Sequence, residues 1–423
     1  MNRRRFFQST ALAGAALATT RVSSLHGQDA PSRKLRVGIM GLGRGKGHIR
    51  GYQGVPNVEI AYVCDIDDAR LAEGVRLVKS KQSKDPVAVK DFRRILDDPN
   101  IDALSIAAPN YWHAPATILA CRAGKHVYVE KPGSHNAYES KLMVKVARET
   151  DRKVQMGTQR RSYPSMIEGI RRLHEGVIGK VLYSRCYYNN LRPNIGRIEP
   201  STPPDSLDYD LWQGPTPERP YSKNLVHYNW HWRWHYGGGE LANNGVHALD
   251  VARWGLAVDY PSRVSYMGNR YHHDDDQQTP DTGVAQFDFG DKGAMWEGSS
   301  CHPRKPEALP FVSFYGEGGT AHFSSAGFTF YDEKGKELEK NPGQAGDVPH
   351  FQNFCDAIRQ GVPLNQSIES GQISAMWCHL GNISLRSGTV LEVDPDNGTI
   401  KDNPKAMEFW KREYREGWDK VMS

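Results

Sequence analysis

A glycine-rich turn near the start of the chain carries residues suited to holding a nucleotide. Residues 41–48 read Gly-Leu-Gly-Arg-Gly-Lys-Gly-His and follow an apolar run, residues 36–40, that predicts a buried strand. Glycines allow a tight turn and let the backbone approach a pyrophosphate, while the helix that follows points its first amides at the anion. We therefore predict cofactor contacts from Gly41, Gly43, Arg44 and Gly45.

An acidic residue beyond the turn indicates which dinucleotide fits. Asp65 lies 24 residues after Gly41, at the end of a second predicted strand, residues 58–64. Its carboxylate would accept hydrogen bonds from the adenosine ribose and repel a 2′-phosphate, which favours NAD over NADP. The turn departs from the usual G-x-G-x-x-G pattern, because Lys46 takes the third glycine position and Gly47 follows it. We expect a loop one residue out of the usual register.

Polar residues follow two further predicted strands. Asn110 and His113 come after the apolar run at residues 103–107, and Glu130 and Lys131 come after residues 126–129. Alternation of strands and helices predicts a parallel sheet, and ligands of such sheets bind beyond the carboxyl ends of the strands. Asn110, His113 and Glu130 are therefore predicted to border the cofactor.

Several short motifs together resemble one family. They are Glu-Lys-Pro at residues 130–132, Gly-Gly-Gly at 237–239, Gly-Val-His at 245–247, and Asp250. With the glycine turn, this set resembles the Gfo/Idh/MocA family of nucleotide-dependent oxidoreductases over residues 34 to about 390. The resemblance implies an α/β chain with an N-terminal Rossmann domain. It also implies a C-terminal α+β domain built on a large, mostly antiparallel open sheet, with the active site between the two.

The resemblance also implies catalytic roles. It makes Lys131 the donor to the reacting oxygen and His247 the acid–base group, and helical spacing would bring His247 one turn after Asn243 on the same side. Many relatives have aspartate at the position of Asn243. Asparagine can hydrogen-bond to substrate or histidine but cannot transfer a proton at neutral pH. This leaves open whether His247 or Tyr163 carries more of the proton chemistry.

An aromatic cluster in the second half suggests carbohydrate binding. Tryptophans at positions 230, 232 and 234 alternate with His231, Arg233 and His235. In an extended strand the indoles would share one face, suited to sugar rings, although core packing explains them equally well. Glycines after the cluster favour extended structure over a helix with metal-binding histidines, so no metal site is predicted. Predicted substrate contacts are Arg160, Tyr163, Trp230, Trp232, Arg233 and Trp234.

The remaining segments outline the domain organisation. Strand-like runs at residues 181–188, 263–267, 283–289, 294–298 and 311–315 predict the antiparallel sheet. A proline-rich loop is expected at residues 193–220, and helices at 351–358, 368–385 and 407–418. We predict a leader over residues 1–30, a NAD-binding domain over 31–154 and a substrate domain with a helical tail over 155–423.

The first 30 residues read as an export signal. Three arginines, Arg3 to Arg5, precede two phenylalanines and an uncharged run, residues 9–18, that is too short for a permanent membrane span. The pattern resembles a twin-arginine signal, which is read by export machinery and is known for moving folded proteins. We expect a periplasmic protein that acquires its cofactor in the cytoplasm before export.

Length, net charge and cysteine spacing limit which other classes of function are expected. The chain has 423 residues, a length for two or three domains, and a net charge of only +5, which gives no reason to expect nucleic-acid binding. Its six cysteines form no C-x-x-C pair and suit buried positions. A homo-oligomer is expected.

These observations predict an exported oxidoreductase. It would transfer a hydride between a tightly bound nicotinamide cofactor and a carbinol carbon of a sugar, cyclitol or glycoside. Two alternatives stay open. One is a redox-neutral, NAD-dependent glycosidase that oxidises, eliminates and reduces again. The other is a noncatalytic protein that binds nucleotide or sugar, which the asparagine at position 243 would suit.

Overall fold

The computed structural model describes residues 34–301 and 307–423. The predicted leader, residues 1–30, lies outside the described residues. In the part that is described, no helix is long and apolar enough to cross a membrane. All six cysteines are buried and unbonded, as their positions predicted.

The first half folds into a six-stranded parallel sheet with the order β3-β2-β1-β4-β5-β6. β1 is central and its apolar side chains are fully buried, which explains its continuous hydrophobic run. The chain turns from one side of β1 to the other between β3 and β4, and this switch point creates a crevice at the carboxyl ends of β1 and β4. The elements are β1 (Leu35–Met40), α1 (Gly45–Gln53), β2 (Val58–Cys64), α2 (Asp68–Lys79), β3 (Val87–Val89), α3 (Arg93–Leu96), β4 (Ala103–Ile106), α4 (Asn110–Arg122), β5 (His126–Glu130), α5 (Ala137–Glu149) and β6 (Val154–Gly157).

The second half contains a nine-stranded sheet with the order β14-β13-β12-β11-β7-β10-β9-β8-β15. Its neighbours are antiparallel except β7 and β10, so the predicted fold class is confirmed. The elements are α6 (Pro164–His174), β7 (Val181–Asn189), α7 (Tyr209–Gln213), α8 (Val246–Leu256), β8 (Arg263–Asn269), β9 (Thr282–Asp288), β10 (Gly293–Ser299), β11 (Val312–Gly316), β12 (Gly319–Phe323), β13 (Phe328–Asp332), β14 (Glu337–Asn341), α9 (Val348–Gln360), α10 (Ile368–Ser387), β15 (Leu391–Glu392) and α11 (Pro404–Met407).

Helices late in the chain return to the first sheet. Phe351 and Phe354 of α9 are fully buried in one core cluster with Val37 and Ile39 of β1. Gly51 in α1 allows this approach, because a side chain there would overlap the ring of Phe351. The core of the nucleotide-binding sheet is therefore completed by residues more than 300 positions away.

Two predicted elements are wrong. The expected helix over residues 407–418 does not form, because α11 already ends at Met407. The chain then continues in turns that pack Trp418 edge-on against Trp112, with ring centroids 5.3 Å apart. The expected extended strand at residues 230–235 is instead a 3₁₀ turn, Asn229–Trp232. The predicted helices at 351–358 and 368–385 are confirmed within α9 and α10.

Candidate functional site

A cavity of about 730 Å³ opens at the carboxyl ends of β1, β2, β4 and β5 and extends to the start of α8. Its size lies in the range of small-molecule and cofactor sites. Most of the residues predicted from the sequence line it: Gly41, Gly43, Arg44, Asp65, Asn110, His113, Glu130, Lys131, Trp230, Asn243 and His247. The crevice thus joins the nucleotide turn of one half to the histidine-bearing helix of the other.

The glycine turn forms one wall of the cavity. Gly41 has φ of +85°, and a Cβ there would lie 2.7 Å from the backbone nitrogen of Ala108, so the position requires glycine. A Cβ at Gly43 would lie 2.8 Å from Nη1 of Arg70. Gly45 is not on the cavity surface but begins α1, packed against Ile39. A backbone without side chains at the start of a helix fits the pyrophosphate of a dinucleotide.

Asp65 holds the turn as well as facing the cavity. Its Oδ2 accepts a hydrogen bond from the Leu42 amide at 2.6 Å, and its Oδ1 accepts one from the Asp67 amide at 3.1 Å. Burial raises the pKa of this carboxyl, and the amides and the charge of Arg70 oppose that rise. A carboxylate has about four acceptor positions. Two of them serve the backbone, and the others can serve a ribose hydroxyl.

Glu130 lies at the centre of a buried polar cluster. Its Oε1 accepts from Arg44 Nε at 3.0 Å, His48 Nε2 at 3.1 Å and Gln159 Nε2 at 3.2 Å. Burial favours the neutral acid, but the His48 hydrogen bond and the Arg44 charge outweigh it and hold the pKa of Glu130 well below its usual range. Arg44 also reaches Asp347 at 2.6 Å. Glu130 is therefore a fixed anion that anchors the glycine turn, and it is not a proton carrier.

Lys131 points across the cavity to the second half. Its Nζ donates to both the backbone oxygen of Asn243 at 2.7 Å and the side-chain Oδ1 at 2.9 Å. Asn243 can present both oxygens because residues 241–245 form a π-helical turn ahead of α8. Burial lowers the pKa of Lys131, and the Glu130 charge opposes the change. An ammonium has three N–H donors. The two bonds to Asn243 leave the third for a ligand.

His247 is the second residue of α8 and lines the cavity beside Asn243. Its Nδ1 is buried and has no hydrogen-bond partner among the described residues, so Nε2 is the ring nitrogen available to a ligand. Burial, followed by the charges of Arg160 and Lys131, holds the pKa of His247 well below its usual value. The imidazole is therefore neutral at pH 7 and keeps a ring nitrogen lone pair that can accept a hydrogen bond from a substrate hydroxyl.

His231 is a cavity residue that sequence reasoning assigned only to the polar side of a strand. Its ring stacks on Trp230 with centroids 3.6 Å apart, and its Nδ1 lies 2.6 Å from the Tyr228 carbonyl. A carbonyl only accepts, so Nδ1 carries the hydrogen and Nε2 carries the lone pair. Burial lowers the pKa of His231 to about 3. The aromatic cluster drew attention to this residue, but its tautomer could not be predicted, because it depends on the 3₁₀ turn.

His113 and Asn110 occupy the first turn of α4 and are buried at the cavity wall. His113 Nε2 donates to the Ala108 carbonyl at 2.8 Å, and burial lowers the pKa of the ring to about 4. Its Nδ1 is buried without a partner in the described part of the chain. His113 therefore shapes the loop after β4, where the cofactor is predicted.

Five predicted substrate residues lie away from this cavity. Because of the 3₁₀ turn, the prediction that three indoles share one face is wrong: Trp230 lines the cavity, Trp232 is buried and Trp234 lines a separate cavity. Arg233 pairs with Asp276 at 3.1 Å. The other two displaced residues pack in the second half, where Arg160 lies over the Phe311 ring at 4.4 Å and Tyr163 belongs to the core.

Metal-binding geometry is not found in the described ranges, 34–301 and 307–423. No group of three histidine, cysteine, aspartate or glutamate side chains there could hold a metal ion. Three histidines spaced four residues apart, His227, His231 and His235, each have another partner: Asp67, the Tyr228 carbonyl and the Pro217 carbonyl.

Comparison with sequence families gives two matches that together cover just over half of the chain. Residues 35–158 match the oxidoreductase family with the NAD-binding Rossmann fold, GFO_IDH_MocA. Residues 192–288 match the C-terminal alpha/beta domain of the same family. The chain belongs to the Gfo/Idh/MocA oxidoreductases. The family assignment agrees with the parallel sheet, the glycine turn and the second sheet that the structure contains.

Among curated proteins, relatives share about half of the chain. A glycosyl hydrolase family 109 protein of Shewanella pealeana is 25% identical over 48% of this chain and 49% of its own. A levoglucosan dehydrogenase of Pseudarthrobacter phenanthrenivorans is 30% identical over 52% of this chain and 51% of its own. The chain thus spans about half the length of the curated relatives it matches.

Solved structures share the fold over most of the chain. The WlbA dehydrogenase from Bordetella pertussis, in complex with NADH and UDP-GlcNAcA, has a TM-score of 0.66 at 19% identity and covers 86% of this chain and 99% of its own. The aldose-aldose oxidoreductase from Caulobacter crescentus has a TM-score of 0.65 at 18% identity, covering 85% of this chain and all of its own. At such identities the likeness establishes the fold alone.

Proposed function

We propose that this protein uses a bound NAD to oxidise a CH–OH group of a sugar, cyclitol or glycoside to a carbonyl, or to reduce such a carbonyl to the alcohol. The observation that carries the proposal is the position of Lys131, with one N–H free beside neutral His247, in the cavity that also holds the glycine turn. When bound, the nicotinamide supplies a hydride acceptor or donor. The turn at Gly41 and Gly43, the α1 N-terminus and Asp65 would hold this cofactor.

The protein's own residues supply the proton chemistry. Removing a hydride from a carbinol carbon requires the hydroxyl to lose its proton and the new carbonyl oxygen to be stabilised. Lys131 Nζ donates to that oxygen, and Asn243 fixes the direction of the donor. His247 Nε2 accepts the hydroxyl proton, a role typically worth about 10²- to 10⁴-fold in rate. Asn243 acts here by orienting Lys131 and takes no part in proton transfer.

A redox-neutral glycosidase is the second candidate. The resemblance to glycosyl hydrolase family 109 proteins favours it, and so does His231, whose Nε2 lone pair faces the same cavity. Oxidation beside a glycosidic bond acidifies a C–H. A second neutral imidazole would take that proton while the C–O bond to the leaving group breaks, and would pass it to the departing oxygen. Water would then add to the double bond before the carbonyl is reduced by the same cofactor.

Export and cofactor retention belong to the same proposal. The arginine-rich leader motivates a periplasmic location reached after folding. NAD is preferred over NADP because of Asp65, although Arg70 lines the same end of the cavity. A cofactor acquired in the cytoplasm and kept outside must be regenerated within the site, which favours either paired oxidation and reduction or the glycosidase cycle.

The experiment is a substrate survey on protein purified with its bound cofactor. D-Glucose, myo-inositol, levoglucosan and p-nitrophenyl glycosides are added in turn while the absorbance of reduced nicotinamide and the release of nitrophenol are followed. Reduction of bound NAD supports an oxidoreductase, and nitrophenol release without net reduction supports the glycosidase. Bound NAD with neither change for any sugar, in wild type as in Lys131→Ala, points to a noncatalytic binding protein.

A further inference from the structure

A second cavity, of about 430 Å³, lies outside the proposed active site and shares none of its lining residues. It is enclosed by the start of α5, residues 234–238, the end of α10 and residues 408–413. Its volume is within the range of small-molecule sites. Its lining is polar and rich in arginine and histidine.

Arg386 supplies a positive charge that is fixed in this cavity and not neutralised. It stands in the last turn of α10, with its guanidinium carbon 4.2 Å from the Phe409 ring centroid and 5.2 Å from that of Trp234. The residue as a whole is exposed, yet it forms no ion pair with any carboxylate in the described ranges, and partial burial of its guanidinium lowers its pKa. A cation held between two aromatic rings has little freedom to find a distant partner.

The pKa values of two histidines in the cavity indicate nearby positive charge. Burial lowers the pKa of His135 well below its usual value, and the charges of Arg412 and Arg386 add to the effect. Burial lowers the pKa of His235 to about 4, and the charge of Arg219 adds to the effect. Glu408 and Glu413 also line the cavity.

One unused hydrogen-bond donor belongs to a residue of the same lining. Arg412 donates through Nε to Glu139 at 2.7 Å and through Nη2 to the Tyr111 carbonyl at 2.8 Å, while its buried Nη1 has no partner among the described residues. Asn136, also in the lining, is the N-cap of the 13-residue helix α5. The N-terminus of that helix adds a partial positive charge.

We propose that this second cavity binds a small ligand bearing an oxyanion group, a carboxylate, sulfate or phosphate, with Arg386 making a two-pronged contact to its oxygens. A planar guanidinium suits such groups because two parallel N–H donors match two oxygens. The proposal does not depend on hydride transfer, because no residue of the cavity lines the proposed active site.

Isothermal titration calorimetry on the full-length protein tests this proposal. Sodium sulfate, sodium phosphate and sodium D-glucuronate are the probes, and sodium chloride at equal ionic strength is the blank. We expect saturable binding of at least one probe, weakened tenfold or more by Arg386→Gln. Arg263→Gln is the matched control, because Arg263 is an exposed arginine on β8, paired with Glu392, and its loss should leave binding unchanged. The preferred probe distinguishes a carboxylate ligand from a sulfate or phosphate ligand.

Three outcomes would overturn the proposal. The first is no saturable heat beyond the chloride blank for any probe. The second is equal binding by wild type and Arg386→Gln. The third applies if loss of the ring contacts unfolds Arg386→Gln. Arg386→Lys is then the test, because it keeps the positive charge but loses the two parallel N–H donors. Unchanged affinity in Arg386→Lys would contradict the two-pronged contact. Failure of the oxidoreductase proposal would leave all of these heats unaffected.

Discussion

Replacing Glu130 by glutamine removes the negative charge to which Arg44, His48 and Gln159 all donate. Arg44 is half-exposed and keeps Asp347 as a partner, so its charge stays compensated. The buried donors of His48 and Gln159 lose a charged acceptor, and a hydrogen bond to a charged group is worth about 1.5–3 kcal/mol. We expect Glu130→Gln to lower the free energy of unfolding by about that amount. Glu59→Gln is the matched control: Glu59 also accepts from two cations, Arg36 at 3.3 Å and Lys84 at 3.0 Å, but at the surface. Its loss should cost about 0–1 kcal/mol.

Urea unfolding as a function of pH sharpens the same prediction. The folded-state pKa of Glu130 is depressed, so its contribution to stability is complete above the ordinary carboxyl pKa of about 4.3 and is lost as pH falls towards the folded value. Wild type should therefore lose stability more steeply than Glu130→Gln below about pH 5. The reasoning is refuted if the variant costs less than about 1 kcal/mol at pH 7, or if the two pH profiles run parallel.

Three further predictions concern the cavity. Lys131→Met should lower kcat by about 10²- to 10³-fold, which is the usual cost of losing one oxyanion donor. The affinity for NAD, measured by calorimetry, should change far less. Equal losses of kcat and of NAD affinity would contradict a donor role. His231→Phe should lower glycosidase turnover by at least about tenfold. His231→Gln keeps a hydrogen-bond acceptor and should recover substrate affinity but not rate. An unchanged kcat in His231→Phe would exclude His231 as a base. Asp65→Asn should narrow the preference for NAD over NADP, measured by fluorescence titration, since the neutral amide no longer repels a 2′-phosphate; an unchanged ratio would contradict this.

Local patterns predicted the parts of the molecule that are set by short-range chemistry. The glycine turn after β1 is recognisable because only glycine tolerates the φ of Gly41 and the close approach of Ala108. The position of Lys131 follows from its place at the end of a buried strand. Both features are marked by short runs of neighbouring residues, so spacing alone was enough to predict them, although the contact with Ala108 is a tertiary one.

Contacts between distant segments could not be predicted in this way. Arg44 bonds to Asp347, and Phe351 closes the core over β1, but a single sequence carries no signal linking positions 300 residues apart. The prediction of an extended strand at the tryptophan cluster was wrong for a different reason. Alternation in a stretch rich in glycine and aromatic residues fits a strand and a 3₁₀ turn equally well, and only tertiary packing decides which one forms.

The central claim is that a hydride moves between a substrate carbon and a cofactor held in the first cavity. The most direct test uses the C-deuterated form of whichever sugar gives the largest response in the survey, mixed with protein carrying its bound cofactor and quenched within one turnover. Mass spectrometry of the released cofactor should then find one deuterium on the nicotinamide, and none in Lys131→Met. Formation of the oxidised sugar by the wild type with no deuterium in the cofactor would contradict hydride transfer at this site.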